Sequence, residues 1–453
     1  MSIAKLFKGI RPPRPQGLGT PSTLPPPERV FVPLRQHRGG VCQPLVEPGQ
    51  AVAMGQVLGS AEAFESALVH SPVSGVVEAI QACPDPAGQP VSTVVVKNDG
   101  HDAWDESEPA DVLADLEAVA KARPSRLLKR LRQAGLVRAD SQGLPLHVEL
   151  SPPMAPRSYM FMTGIPVVRP IDTLVIRAVD ADPPVCPNQA SLAALGPELE
   201  MGVLALARII GAQRVVLALP GGAVPAEMAS VARAREWEIS QVGQVRYPLA
   251  SDRLLVHSLT GREVPSPYGE PRDVGVLIEP LQSALDAGRA LITGRPVLER
   301  TFVVAGDVAK PGAFRVRLGT PIAAVIAAAG GALGGAGKLI VGGPMLGLAH
   351  FAPQTPVTKE TEGVYLQSAE HLRRFAEHPC IHCGRCVAAC PVNLVPAELG
   401  KLCEFGHYEE AEERDLFHCI ECGACAHVCP AQRPMVHYLR HGKSEVMARR
   451  MEQ

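Results

Sequence analysis

Two short runs near the C-terminus, "CIHCGRCVAACPVN" at 380–393 and "CIECGACAHVCPAQ" at 419–432, leave the chain little choice in what it folds around. Cys380, Cys383, Cys386 and Cys390 follow C-x2-C-x2-C-x3-C with Pro391 behind the last thiol, and Cys419, Cys422, Cys425 and Cys429 repeat it with Pro430. This is the spacing of bacterial-type [4Fe–4S] loops, in which three thiolates wrap one cluster and the fourth crosses to the other. The expected sets are therefore Cys380, Cys383, Cys386 with Cys429, and Cys419, Cys422, Cys425 with Cys390. Zinc takes its ligands in separated pairs and does not account for triplets with a trailing Cys-Pro. Cys42, Cys83, Cys186 and Cys403 have no such spacing and read as packed or idle thiols.

The 28 residues between Cys390 and Cys419 include the helix-favouring stretch "PAELGKLCEFGHYEEAEERDLF", which predicts an α-helical two-cluster module. Arg373, Arg374, His378 and Arg385 lie near the first run, and Glu409, Glu410, Glu412, Glu413 and Asp415 precede the second, so the two centres are expected to differ in potential. Eight of the twelve cysteines sit in these runs, a usage that fits metal thiolates in a reducing compartment. The opening MSIAKLFKGI lacks the apolar core of a secretory signal, so the expectation is a cytoplasmic protein. The stretch "GVLALARIIGAQRVVLALP" is interrupted by Arg208, Gly211 and Arg214 and is not expected to span a membrane. With 44 Lys plus Arg against 46 acids, no basic field invites nucleic acid.

At 453 residues several domains are needed, and the punctuation suggests where they fall. Residues 1–29 form an arm with seven prolines at 12, 13, 15, 21, 25, 26 and 27, extended enough to drape over a partner. From 30 to 96 short β-rich runs are broken by Pro and Gly, which predicts a barrel or sandwich of hairpins, and 97–123 reads as a linker. Across 124–298, a helix at 124–134, a strand in "DTLVIRAV", a helix at 197–210 stopped by Gly211 and a strand in "RVVLALP" give a β-α-β signature. In 299–350, "ERTFVVAGDVAKPGAFRVRLG" supplies two strands around a Pro-Gly turn, and Thr320-Pro321 is expected to cap a helix ending at Gly330-Gly331. Residues 351–370 read as a return segment, 371–441 as the cluster module and 442–453 as a tail.

Taken in order, "PLVEPGQAVAMGQVLG", "HSPVSGVV", "LLVHSLTGREVP", "GDVAKPGAFRVRLGTPI", "LIVGGPMLG", "PVTKETEGVYL" and the two cysteine runs resemble the C subunit of Rnf-type (Rsx) electron-transport complexes. Without the clusters the chain is also similar to the A subunit of the sodium-pumping NADH:quinone reductase, and more distantly to the flavin- and NADH-binding subunit of respiratory complex I. The resemblance implies a multidomain α/β and β protein: a lipoyl-like barrel-sandwich domain, an α/β domain of the nucleotide-binding type, a β-grasp SLBB insertion and a C-terminal helical ferredoxin module with two [4Fe–4S] clusters. It implies a peripheral subunit on the cytoplasmic side of the inner membrane, held there by the other subunits of an ion-translocating complex. Its soluble electron donor or acceptor would be ferredoxin-like or NADH. The lipoyl-like segment cannot be acylated, because no lysine occurs between Lys8 and Lys97.

Where relatives bind flavin and NADH, this sequence departs from them. "AGLVRADSQGLPLHV" at 134–148 has Arg138, Asp140 and Ser141 where the family carries loop glycines, and of these only Gly143 remains. A second family motif appears as "RAVDADPP" at 177–184, with its acids shortened to Asp180 and Asp182 and with Asn188 and Gln189 where further acids often follow. Gly143, Asp180 and Asp182 are thus the remaining candidates for a flavin mononucleotide (FMN) or NADH site. Side chains at successive loop positions block close approach of a phosphate, and Asp140 is expected to repel it, with Arg138 a partial compensation. "GGALGGAGK" up to Lys338 is not a phosphate loop, since Leu339 replaces the metal-binding hydroxyl and the stretch precedes a strand. Two alternatives to a purely iron–sulfur protein follow: a flavin-containing, NADH-oxidising member of the same complex, or an adaptor that docks another soluble redox protein.

Overall fold

The computed structural model describes residues 8–11, 15, 19–107, 111–113, 115–151, 169–242, 246–335, 337–372 and 378–452. Arg373 and Arg374, and Pro12 and Pro13 of the arm, lie outside these residues. Near the N-terminus two small sheets face each other. One runs Arg29–Pro33, Pro90–Asn98, Gly75–Pro84, Ala51–Val52, and the other Gln43–Pro44, Val57–Ser60, Val69–His70. Alternate residues of the strands point inward, so Val30, Val32, Leu58, Val77, Val94 and Val96 form one closed core.

The arm does not hang free where it is described. Ser22–Thr23 pairs in parallel with Phe314 and Arg315, and Ile10 exchanges backbone hydrogen bonds of 3.1 and 2.8 Å with Tyr247. It drapes over its own chain. The stretch read as a linker is likewise structured in part: the Met54 amide donates to Ala103 at 2.8 Å, and the helix Leu116–Lys121 buries Val119 in the core of the next domain.

That domain holds a four-stranded parallel sheet in the order Glu238–Gln241, Arg214–Leu219, Thr173–Arg177, Val276–Pro280. Two of its strands, Thr173–Arg177 and Val276–Pro280, are buried at every residue, as parallel strands covered on both faces are. Helices Pro197–Ile210 and Leu281–Thr293 cross so closely that a Cβ on Gly202 would lie 1.8 Å from the Ala284 carbonyl oxygen. The first helix stops at Gly211, in the left-handed conformation. The order of strands reverses at Thr173–Arg177, and the carboxyl end of that strand is where ligands sit in such folds.

The third domain is a six-stranded sheet ordered Ser22–Thr23, Gly312–Arg317, Glu299–Gly306, Gly363–Gln367, Lys338–Val341, Leu348–His350. Its central strand, Gly363–Gln367, comes from the segment read as a mere return. It pairs in parallel with Glu299–Gly306 and antiparallel with Lys338–Val341, so without it the sheet falls into two halves. Thr320 is not the helix cap: the helix spans Ile322–Ala328 behind Pro321, and the buried Thr320 hydroxyl has no hydrogen-bond partner among the described residues. Proline already supplies the extended entry geometry.

In the cysteine-rich region, short helices Pro396–Glu404, Tyr408–Glu413 and Ala424–His427 pack against a long one, Met435–Glu452, and Arg385–Ala389 packs against Pro396–Glu404 and Ala424–His427. The residues read as a tail continue this helix, with Val446 5% exposed. Gly442 lets it pass against Cys403, whose sulfur would lie 2.4 Å from a Cβ there. Among the described residues no helix is long and apolar enough to cross a membrane.

Candidate functional site: two thiol sets and a polar cavity

The cysteine repeat is a repeat of backbone conformation. Gly384 and Gly423 start their helices with φ of 70° and 78°. His382 and Glu421 take φ of 53° and 55° at matching places, as do Asn393 and Gln432 at 59° and 52°. These turns aim amides at sulfur: Glu421 N–H donates to Cys419 Sγ at 3.4 Å and Leu394 N–H to Cys390 Sγ at 3.3 Å.

Cys380, Cys383, Cys386 and Cys429 line one cavity of about 220 Å³. Cys419, Cys422, Cys425 and Cys390 line a second, smaller and more apolar one. Each set thus draws three thiols from one run and one from the other. Among the described residues no three His, Cys, Asp or Glu groups are arranged to hold a single ion. Four soft donors spread around a shared cavity, with amides directed at them, fit a polynuclear iron–sulfur centre, which would supply one-electron chemistry.

The two surroundings differ. Cys383 is exposed, whereas Cys390, Cys422 and Cys425 are buried, and burial pushes the Cys422 thiol up to about 11. Three other parts of the chain cover the second set. Tyr247 O–H donates to the Cys422 carbonyl at 2.6 Å, Ile10 of the arm packs beside it, and the Met345 side chain lies over Gly423. Glu421 is held at 2.8 Å by both Arg440 and Lys443 of the long helix. Of the remaining cysteines, Cys42, Cys186 and Cys403 are buried and Cys83 is half-buried.

A cavity of about 1110 Å³ runs from the α/β domain to Cys419. Asp140, Ser141, Gln142, Arg177 and Asp182 line one end and Glu360 and Glu362 the wall beside them. Of the three residues expected to hold a nucleotide, only Asp182 lines it. Its carboxylate accepts from the Met345 and Leu346 amides at 3.1 and 2.6 Å, and burial pushes it up to about 6. Asp180 is buried, accepting from the Asn188 amide and side chain at 3.0 and 2.7 Å and from Gln189 N–H at 3.0 Å. Gly143 makes room for Glu360, whose Oε2 would lie 2.3 Å from a Cβ.

Arg138 does not compensate for the lost glycines. Its guanidinium is buried and donates to Asp140 at 2.9 Å, Glu149 at 2.8 Å, Asp252 at 3.0 Å and the Ile278 carbonyl at 2.6 Å. Nor does Asp140 stand alone, since Arg177 reaches it at 2.8 Å and Asp252 at 2.7 Å. Burial raises the carboxyls of Glu149 and of the underlying Glu279, each reinforced by neighbouring acids. The guanidinium groups of Arg138 and Arg177 are both paired with the carboxylates of Asp140 and Asp252, which leaves no net positive charge for a phosphate. Burial also pushes Glu360 up to about 7 and Glu362 to about 8. The residues at this loop do not fit a flavin phosphate. The sequence reading missed Glu360 and Glu362, although two acids in "TKETEGVYL", beside a buried strand, were a visible signal.

The profile of the RnfC barrel sandwich hybrid domain matches residues 5–101, that of the Nuo51 FMN-binding domain 131–286, the SLBB domain 301–349 and the 4Fe-4S dicluster domain 379–433. Over 94% of its length the chain is 32% identical to the C subunit of the Na(+)-translocating ferredoxin:NAD(+) oxidoreductase complex of Acetobacterium woodii, covering 92% of it. It belongs to the C-subunit family of Rnf-type ion-translocating oxidoreductases. Identity is 32% to the proton-translocating counterpart of Clostridium ljungdahlii and 33% to that of the ion-translocating complex of Methanosarcina acetivorans, over 93% and 94% of this chain and 89% and 94% of theirs. Among solved structures, a chain of an NAD+-reducing [NiFe]-hydrogenase is similar over 76% of this chain and 65% of that one, at 18% identity and TM-score 0.47. As a member of the Rnf family with a dicluster domain, the chain is an iron–sulfur electron-transfer protein with two [4Fe–4S] clusters.

Proposed function

We propose that this Rnf-type protein conducts electrons through two clusters ligated by the crossed cysteine sets, as a peripheral part of an ion-translocating complex on the cytoplasmic face of the inner membrane. Its partners are the other subunits of that complex and a soluble redox carrier. The observation that carries this reading is the grouping of Cys429 with the first run and Cys390 with the second around separate cavities. Beside it stands a loss: hydride does not enter from NADH at the 134–148 loop, because Arg138, Asp140 and Arg177 fill that site with a closed ion network.

The match of residues 131–286 to an FMN-binding domain favours a second reading, in which flavin occupies the rest of the large cavity and NADH reduces it. An anaerobic titration separates the two. NADH is added to the isolated protein with and without flavin mononucleotide while cluster absorbance is followed. Bleaching by dithionite but not by NADH is expected; prompt stoichiometric bleaching by NADH would establish the second reading instead.

A further inference from the structure

The exposed thiol set opens onto a surface unlike the rest of its module. Ile381 and Val395, 65% and 45% exposed, border the cavity of Cys380, Cys383, Cys386 and Cys429. Phe405, 65% exposed, follows the adjoining helix Pro396–Glu404. The two carboxylates of that helix are engaged, Glu398 by Arg414 and Glu404 by Arg433. Arg385 and Lys401 are exposed and form no ion pair with a described residue. Lys401 sits one turn beyond the cavity-lining Ala397, on the same side of the helix. The densest group of acids in the module, Glu409, Glu410, Glu412 and Glu413, lies on the neighbouring helix Tyr408–Glu413.

We infer that this rim is the docking face for a small acidic electron-carrier protein, Arg385 and Lys401 meeting its carboxylates while Ile381 and Val395 exclude water from the contact. The inference rests on the electron-transfer reading above. Apolar groups at the centre with free charges at the edge are the anatomy of a transient protein interface, and the charges steer encounter. A small molecule is a poor fit, because the cavity of about 220 Å³ is below the roughly 300–1,000 Å³ of ligand pockets and four thiols converge on it. A lipid surface is also a poor fit, since anionic headgroups are recognised by clusters of about four to eight cations.

The test is binding, measured by calorimetry between the full-length, cluster-containing protein and an oxidised acidic two-cluster ferredoxin, at low and at high salt. Lys401→Glu and Arg385→Glu are each expected to weaken binding by about tenfold or more at low salt. High salt should weaken binding of the unaltered protein. Arg233→Glu, on the separate helix Ala226–Ala234, is the control and should bind normally. Unchanged affinity in both rim variants, an equal loss in the control, or binding indifferent to salt would overturn the proposal. So would phosphatidylglycerol vesicles that bind through Arg385 and Lys401 while the ferredoxin does not. Iron analysis of each protein keeps the two readings apart: iron absent from the unaltered protein sinks the electron-transfer reading, whereas full iron with no ferredoxin binding sinks only the docking face.

Discussion

The two cysteine loops share their turns residue for residue, yet one is a surface and the other an interior. At the first, His382, Cys383 and Arg385 face solvent. At the second, the matching Glu421 is clamped by Arg440 and Lys443, and Tyr247, Ile10 and Met345 from other parts of the chain close over the loop. A local motif therefore sets where sulfurs stand, while tertiary packing sets how much water reaches them. For a charged centre, burial opposes added charge, so the sheltered set should be the harder to reduce, all else being equal.

The most drastic way to break this comparison is to cut the crossing. Cys390→Ser should remove or convert the sheltered centre and leave the exposed one, and Cys429→Ser the reverse, each costing about half the iron if the two clusters are equivalent in size. Loss of the centre belonging to the mutated run instead would show that the sets do not cross. Next in size is Tyr247→Ala. Deleting a buried aromatic ring costs about 3–5 kcal/mol, and here it should speed chelator attack on the sheltered centre alone. Tyr247→Phe removes only the hydrogen bond to the Cys422 carbonyl, worth about 0.5–1.5 kcal/mol, and should act in the same direction more weakly.

A pH experiment sharpens the same contrast, because Asp182 fastens the Met345 loop that covers the second set. Burial raises its folded pKa to about 6 from 3.8, so the folded state binds the proton more tightly than the unfolded chain. Stability from this group is full below the unfolded value and is lost as pH rises through the folded one, by roughly 2–3 kcal/mol between about pH 4 and 6. Asp182→Asn should flatten that part of the denaturation-versus-pH curve. An unchanged slope would remove Asp182 from the account.

The thiol sets were legible in sequence because cluster ligation demands a fixed local spacing, and proline after the fourth cysteine marked each run. The shelter was not, because Ile10, Tyr247 and Met345 come from three distant segments and carry no periodic signal of their own. The loop at 134–148 was half legible. Lost glycines could be counted, but the destination of Arg138 could not, since Glu149, Asp252 and Ile278 reach it only through the fold. The central strand Gly363–Gln367 was passed over for a related reason: a five-residue strand far from its partners looks like a connection until the sheet closes around it.

The smallest expected effect is the cleanest, because it alters one atom at matched positions. Gly384 and Gly423 both have positive φ, so alanine at either costs about 1–2 kcal/mol in backbone conformation. Beyond that common term the sites differ. A Cβ on Gly384 meets no atom of a described residue within 4 Å, whereas one on Gly423 would lie 3.3 Å from the Met345 Cε and 3.4 Å from its carbonyl oxygen. The methionine end must give by a few tenths of an ångström while the carbonyl is at ordinary contact distance, so Gly423→Ala should exceed Gly384→Ala by no more than about 1 kcal/mol, the low end of overpacking costs. Chemical denaturation of the two cluster-containing variants measures the difference. Met345→Ala should then erase part of the excess for Gly423→Ala and do nothing for Gly384→Ala. Equal costs at the two glycines would mean that the Met345 loop does not press on the second set, and the shelter would rest on Tyr247 and Ile10 alone.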